Sequence, residues 1–419
     1  MISKTKINID LPLLLTALLL TVYGIAMVYS AGQTEVKTFV ANLWKTQLVW
    51  MFAALFVAFL VSRSSVRMIE WLAPPLYFFS LGLLVLTLVG FGAGAGTAAS
   101  TKSWLAIGGV RLGQPSEIAK VTTVLMLAKV LAEMRVPPRS LIELWKPMLV
   151  VGTPWVLVMA QPDLGSGLVF IGILFGMLFW AGVPWPLLLL TASPAISLVL
   201  AFSPRIWGAW FLLLVALILW YRPYMGESIF TVAANVLFGV LAPLLWESLK
   251  PYQQKRLLVF LDPTADPRQA GYHVMQSKVA IGSGGLFGTG FTLGTQKRLA
   301  FLPEQQTDFI FAVVGEELGF LGVTVALSLF FILFFRIIKI SERANDSFGS
   351  LVAFGLLSSW FVHILVNVGM TLSLMPITGI PLPFFSYGGS FLLASWLAIG
   401  VLLRIAHEGR GAKGGNFAV

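Results

Sequence analysis

Apolar runs of about 18 to 22 residues recur along almost the whole of this chain, and each is long enough to cross a bilayer as an α-helix. In hydrocarbon every backbone amide and carbonyl must be satisfied within the protein, so a chain built of such runs folds as a bundle of helices. The runs fall near 11–30, 46–62, 71–91, 115–132, 147–161, 164–181, 187–203, 206–221, 228–248, 318–336, 348–372 and 386–405. Only 11% of the 419 residues are charged, too few for the surface of a soluble protein of this size. The expected fold is an all-α polytopic membrane protein of about 12 transmembrane helices, one integral membrane domain over 1–419. The first run follows Lys4 and Lys6, as in a signal peptide. It is longer than the usual apolar core of about 7–15 residues and further spans follow, so it reads as a retained first helix.

Lys and Arg near the helix ends orient the bundle. With the N-terminus inside, short inside segments hold fourteen of them and short outside segments five. Two more lie within the fourth helix, and seven fall in one long segment, 250–305. Both termini are thus expected in the cytoplasm and the long loop outside. The Gly-rich C-terminal end, 408–419, reads as a disordered cytoplasmic tail. The formal net charge of +10 comes largely from this asymmetry, and no basic, aromatic-interleaved module for nucleic acid is present. The chain has no cysteine, which excludes disulfides, thiolate metal sites and thiol redox chemistry.

The 250–305 loop sets its seven cations against Asp262, Asp266 and Glu304, on the side where cations are normally sparse. An anionic ligand outside is the simplest reason. A connection of this length is uncommon unless functional or disordered, and interspersed aromatic and aliphatic residues argue against disorder. Asp262-Pro263 and Asp266-Pro267 have two readings. Asp-Pro pairs commonly start turns, while a carboxylate among cations is also suited to be a general base or a metal ligand. The glycines of Gly282-Ser283-Gly284-Gly285 do not complete a dinucleotide fingerprint, because Phe287 stands where its last glycine would be. Backbone amides near 282–290 could cradle a phosphate; flexible-loop glycine is the commoner explanation.

Other polar groups stand inside apolar sequence. Pro115 and Ser116 are ordinary helix-start chemistry, and Glu117 and Lys120, three apart, can pair on one face. Ionisable groups in a span usually face a partner or a cavity. Glu316 and Glu317 are expected on a partly inserted helix beginning near Asp308. His363 and Asn367 lie four apart, and His363 reads as a packed hydrogen-bonding residue. The proline and glycine between Met370 and Ser390 imply broken backbone at membrane depth, which is tolerated only when buried in protein or lining a cavity.

Four stretches carry a resemblance that covers most of the chain: PSEIAK (115–120), QPDLGSG (161–167), the run from YQQKR to FLPEQQTDFIFAVVGEELG (252–319), and that from NVGM to LPFFSYGGS (367–390). The chain resembles the SEDS family of bacterial cell-shape and division proteins, and Gly294-Thr295-Gln296 is more similar to its RodA branch than to its FtsW branch. The resemblance implies a peptidoglycan glycosyltransferase of the bacterial inner membrane that polymerises lipid II into glycan strands and releases undecaprenyl pyrophosphate. It places the catalytic aspartate at Asp262, in its Leu-Asp-Pro context, and cavity-lining groups at Glu117, Lys120 and Trp104. Where the family usually has an arginine beside that tryptophan, this chain has Lys102-Ser103. The family has about ten spans, so 204–249 reads as a two-helix insertion before the catalytic loop.

On that basis Asp262 is the expected base. Arg256, Lys278 and Lys255 are expected to hold pyrophosphate, and Gln276, Ser386 and Tyr387 to contact substrate. A divalent cation, Mg or Mn, is a candidate Lewis acid with Asp262 as possible ligand; no organic cofactor is expected. The implied partners are a class B penicillin-binding protein, which is a transpeptidase, and other elongation-complex proteins. Two rivals remain: a lipid II flippase, favoured by broken helices and intramembrane charges, and a non-catalytic scaffold for a transpeptidase.

Overall fold

The structure, a computed structural model, describes residues 10–35, 39–94, 103–108, 110–134, 136–249, 254, 258–260, 270–299 and 304–411. Each of the twelve apolar stretches contains a helix. In chain order these are α1 (Leu11–Ala31), α2 (Leu43–Ser62), α3 (Val66–Leu86), α4 (Pro115–Glu133), α5 (Trp145–Ala160), α6 (Leu164–Trp180), α7 (Trp185–Leu200), α8 (Pro204–Tyr221) and α9 (Met225–Ser248). Within and after the long loop come α10 (Ala270–Ser283) and the short α11 (Thr295–Arg298). Then follow α12 (Ile310–Glu342), α13 (Ser347–Thr371) and α14 (Gly389–Gly411). Among the described residues nine helices are long and apolar enough to cross a membrane, and α6 and α7 are shorter apolar helices.

Local chemistry sets several starts. Asp10 caps α1 by accepting from the Leu13 amide, Ser65 caps α3 through Met68, and Asp346 caps α13 through Gly349. Such caps satisfy amides that the first helical turn leaves unpaired. α14 runs to Gly411, past the expected start of the tail at 408, because Glu408 accepts from Arg404 and from the Val66 amide; residues 412–419 lie outside the described residues.

The helices are not equivalent. The buried share of the apolar stretch falls from 72% in α13 and 67% in α14 to 17% in α9 and 11% in α8. α13 and α14 are therefore central, and α8 and α9 are peripheral, packing mainly on α7. A buried polar clasp holds α9 to α7: Asn235 donates to Ser193 Oγ at 2.7 Å and accepts from Ser197 Oγ at 2.6 Å. Trp210 of α8 donates to the same Ser197 at 3.0 Å.

Contacts also sort the helix ends. At one end Arg336 of α12 grips Asp10 before α1, and α14 meets the start of α3. The opposite end gathers the finish of α1 and the starts of α2, α4 and α14, together with the segments 284–299, 304–309 and 372–388. A small antiparallel sheet precedes α4, with β2 (Trp104–Ile107) between β1 (Gly92–Ala93) and β3 (Val110–Gly113).

The long loop departs from the sequence expectation. It contains α10, whose Ala280 packs with Phe309 and Ala312 at the start of α12. α12 itself breaks at Gly319 (φ 63°, ψ −159°). The break frees backbone groups that the loop satisfies. Thr289 and Gly290 amides donate to the Glu316 and Glu317 carbonyls at 2.9 and 3.0 Å, and Phe320 and Leu321 amides donate to Gly285 and Leu286 at 2.9 and 3.2 Å. The amides of Thr289 and Gly290 are thus committed to protein, which removes them from any phosphate cradle. At Gly288 (φ +81°) an added Cβ would press into the Glu317 carbonyl. Gly288→Ala is expected to cost about 1–3 kcal/mol from backbone strain, with the clash in addition. A thermal melt of the detergent-solubilised protein checks this, the expected result being a lower midpoint.

Candidate active site

The grouped end of the bundle contains two polar clusters. In the first, Glu117 and Lys120 sit on successive turns of α4, both nearly fully buried, with an ion pair of 2.7 Å. The Lys120 ammonium also lies 2.9 Å from His363 Nε2 on α13. The other ring nitrogen, Nδ1, is 3.0 Å from the Pro381 carbonyl. Phe391, one turn into α14, stacks on the imidazole at 4.8 Å between centroids, and Lys120 lies 5.5 Å from the centre of the same ring. A small cavity remains beside this group, lined by Glu117, Lys120, Ser359, His363, Phe391 and Ser395. Ser395 is buried there, and its hydroxyl finds no partner among the described residues.

One turn along α13, Asn367 donates to the carbonyls of Ile380 (2.7 Å) and Asp308 (3.0 Å). His363 and Asn367 together therefore hold the broken segment 372–388 against α13. Ser386 secures its far side: its hydroxyl donates to the Thr307 carbonyl at 2.6 Å and accepts from the Leu382 amide at 2.8 Å. Gln47 of α2 donates to the Ser386 carbonyl and accepts from the Gly388 amide, each at 3.2 Å. The broken backbone is thus satisfied by buried side chains, as backbone packed inside protein requires. Tyr387 is half-buried.

The second cluster anchors the end of the long loop. Lys297, fully buried, pairs with Glu317 at 2.5 Å and donates to the carbonyl and hydroxyl of Ser30, each at 2.8 Å. Glu316 accepts from the Gln296 amide at 2.7 Å, acting as a cap for α11. Gln305 donates to the Ala31 carbonyl at 2.8 Å. Among the described loop cations, Lys297 and Arg298 are therefore matched to carboxylates outside the loop, Lys297 to Glu317 and Arg298 to Glu35.

The comparisons with known proteins decide the family. The model for the FtsW, RodA and SpoVE group, described as cell cycle protein, matches residues 11–207 and 207–411. The chain belongs to this family. It is 36% identical over 401 residues to the peptidoglycan glycosyltransferase MrdB of Escherichia coli, covering 96% of this chain and 94% of that protein. It is 34% identical over 427 residues to the peptidoglycan glycosyltransferase RodA of Treponema pallidum, with 95% and 97% coverage. Among solved structures, the Rod shape determining protein RodA of Thermus thermophilus matches with a TM-score of 0.60 and 26% identity, covering 95% of this chain and 97% of that one. A chain from a structure entitled "Structural coordination of polymerization and crosslinking by a peptidoglycan synthase complex" matches with a TM-score of 0.71 and 29% identity, covering 96% and 98%.

In this member of the FtsW, RodA and SpoVE family the expected site residues divide into four groups. Glu117, Lys120, Ser386 and Tyr387 gather at the same end of the bundle, joined by the polar scaffold above. Trp104 lies half-buried on β2, two strands before α4. Gln276 and Lys278 flank buried Ser277 on α10, Gln276 half-buried and Lys278 exposed, while Ser277 donates to the Thr371 carbonyl at 2.9 Å. Asp262, Arg256 and Lys255 lie outside the described residues, as do Lys102 and Asp266. Ser30, Gln47, Lys297 and Ser395 escaped sequence reasoning. Their one signal is a polar group at a position that an apolar span or its edge buries.

Proposed function

We propose that the chain polymerises lipid II into glycan strands and releases undecaprenyl pyrophosphate, with Asp262 as general base on the acceptor sugar hydroxyl. The observation that carries this reading is the meeting of the buried Glu117–Lys120 pair, the broken segment 372–388 and both described anchors of the long loop at one end of the bundle. The names of the relatives, peptidoglycan glycosyltransferases, supply the reaction class. Displacement with inversion at a sugar carbon needs one base and strong stabilisation of the departing anion. Lys278 on the exposed face of α10, with Arg256 and Lys255, would meet the pyrophosphate, and Gln276 would lie beside it. Glu117, Lys120 and Trp104 would shape the cavity, and Ser386 would act by keeping the broken segment in place, with Tyr387 next to it. The lipid tail would lie between helices.

The Lys and Arg distribution favours an orientation with both termini in the cytoplasm and the loop outside the inner membrane. Among the described residues no three carboxylates or histidines stand together to hold a metal ion. Asp262 is the residue that would ligate a divalent cation, which would supply Lewis-acid stabilisation of the departing pyrophosphate. A class B penicillin-binding protein is the proposed partner, supported by the likeness to a chain from a synthase complex that couples polymerisation with cross-linking. The test uses purified protein with labelled lipid II. A ladder of glycan products is expected; leaflet exchange without ladders would mean a flippase, and neither would mean a scaffold.

A further inference from the structure

His363 belongs to no step described so far, yet it joins the α4 ion pair to the broken segment. The donor and acceptor inventory determines how it does so. An ammonium has three donors and no acceptor, so the contact of 2.9 Å requires His363 Nε2 to accept. The ring proton then resides on Nδ1, where it donates to the Pro381 carbonyl at 3.0 Å. A ring protonated on both nitrogens would set donor against donor and cation against cation at that distance. Lys120 is saturated in turn: Glu117 at 2.7 Å, His363 at 2.9 Å, and the face of Phe391 for the third direction. Phe391 also stacks on the imidazole, fixing the ring plane that aims Nε2 at Lys120.

We propose that His363 is a positioning residue for Lys120: as the neutral Nδ1–H tautomer it aims the ammonium at Glu117 and couples that pair to the backbone of segment 372–388. The inference rests on the polymerase reading for its effect on rate, but the tautomer and the contact stand independently of it. Two side chains separate this role from simple packing. Glutamine reproduces the pattern, its carbonyl accepting from Lys120 and its amide donating to Pro381. Leucine fills the space and supplies neither.

The test has two arms. In the first, the rate of glycan formation at saturating lipid II is measured for both variants. His363→Leu is expected to lower kcat roughly tenfold or more, the worth of one hydrogen bond to a charged group, and His363→Gln to recover most of that loss. A glutamine variant as slow as the leucine one, or a leucine variant as fast as the parent, overturns the proposal. The second arm needs no activity. The protein has three histidines, so nitrogen-15 spectra of histidine-labelled protein in lipid nanodiscs can be assigned by the loss of signal in His363→Gln. The expected spectrum at neutral pH has a protonated Nδ1 and a bare Nε2. An Nε2–H tautomer or an imidazolium overturns the proposal. If the parent forms no glycan, the polymerase reading fails while the spectrum still decides the role of His363.

Discussion

Asp262→Asn is expected to lower glycan polymerisation by about 10²–10⁴-fold, the usual contribution of a positioned general base. The amide keeps the size and much of the hydrogen bonding of the carboxylate but cannot take the acceptor hydroxyl's proton at neutral pH. Binding should suffer less, because the groups proposed to meet the pyrophosphate are lysines and arginines of the loop, not the base. The loss should therefore appear in kcat more than in KM for lipid II. Asp266→Asn is the control: its Asp-Pro context is the same, but it lies outside the position that matches the family's catalytic aspartate. Near-normal polymerisation by Asp262→Asn would end the assignment of the base.

The second large effect is expected at the buried pair Lys297–Glu317. Both side chains are fully buried. Burial pushes the Lys297 ammonium below its ordinary value, and Glu317 pulls it back by hydrogen bond and charge. Glu317→Leu strands that ammonium in apolar surroundings and is expected to cost about 3–5 kcal/mol, with Lys297→Met similar in size. The double variant should regain a good part of the loss, since two apolar groups of matching volume leave no unpaired charge. Thermal midpoints of the four proteins form the double-mutant cycle. Polymerisation should fall with the single variants, because Lys297 also holds Ser30 and so ties the end of the loop to α1. Additive losses, with the double variant the least stable, would show that the pair is not coupled.

The spans were legible because a helix in hydrocarbon needs about 20 apolar residues whatever its neighbours are. All twelve stretches contain a helix, with ends moved by a few residues, as at Leu43 and Val66. The Glu117–Lys120 pair was legible for a similar reason, since a spacing of three on a helix is a local fact. Break and loop anchor were not. Gly319 reads in sequence as one more glycine in an apolar run, and only the return of 284–290 against it shows where the freed carbonyls go. Lys297 and Glu317 are twenty residues apart with no shared periodicity, so Lys297 counted toward the loop's surplus charge although it is neutralised from outside. α10 was missed for the opposite reason: its apolar side is short and needs Phe309 and Ala312 to complete it.

This end of the bundle is proposed to make glycosidic bonds at the expense of the lipid pyrophosphate. The direct measurement counts undecaprenyl pyrophosphate released against disaccharides joined, in proteoliposomes holding the purified protein and lipid II. One undecaprenyl pyrophosphate for each new glycosidic bond, with both slowed about 10²–10⁴-fold in Asp262→Asn, is the predicted result. Lipid II that crosses between leaflets with its pyrophosphate linkage intact and no release would contradict the claim.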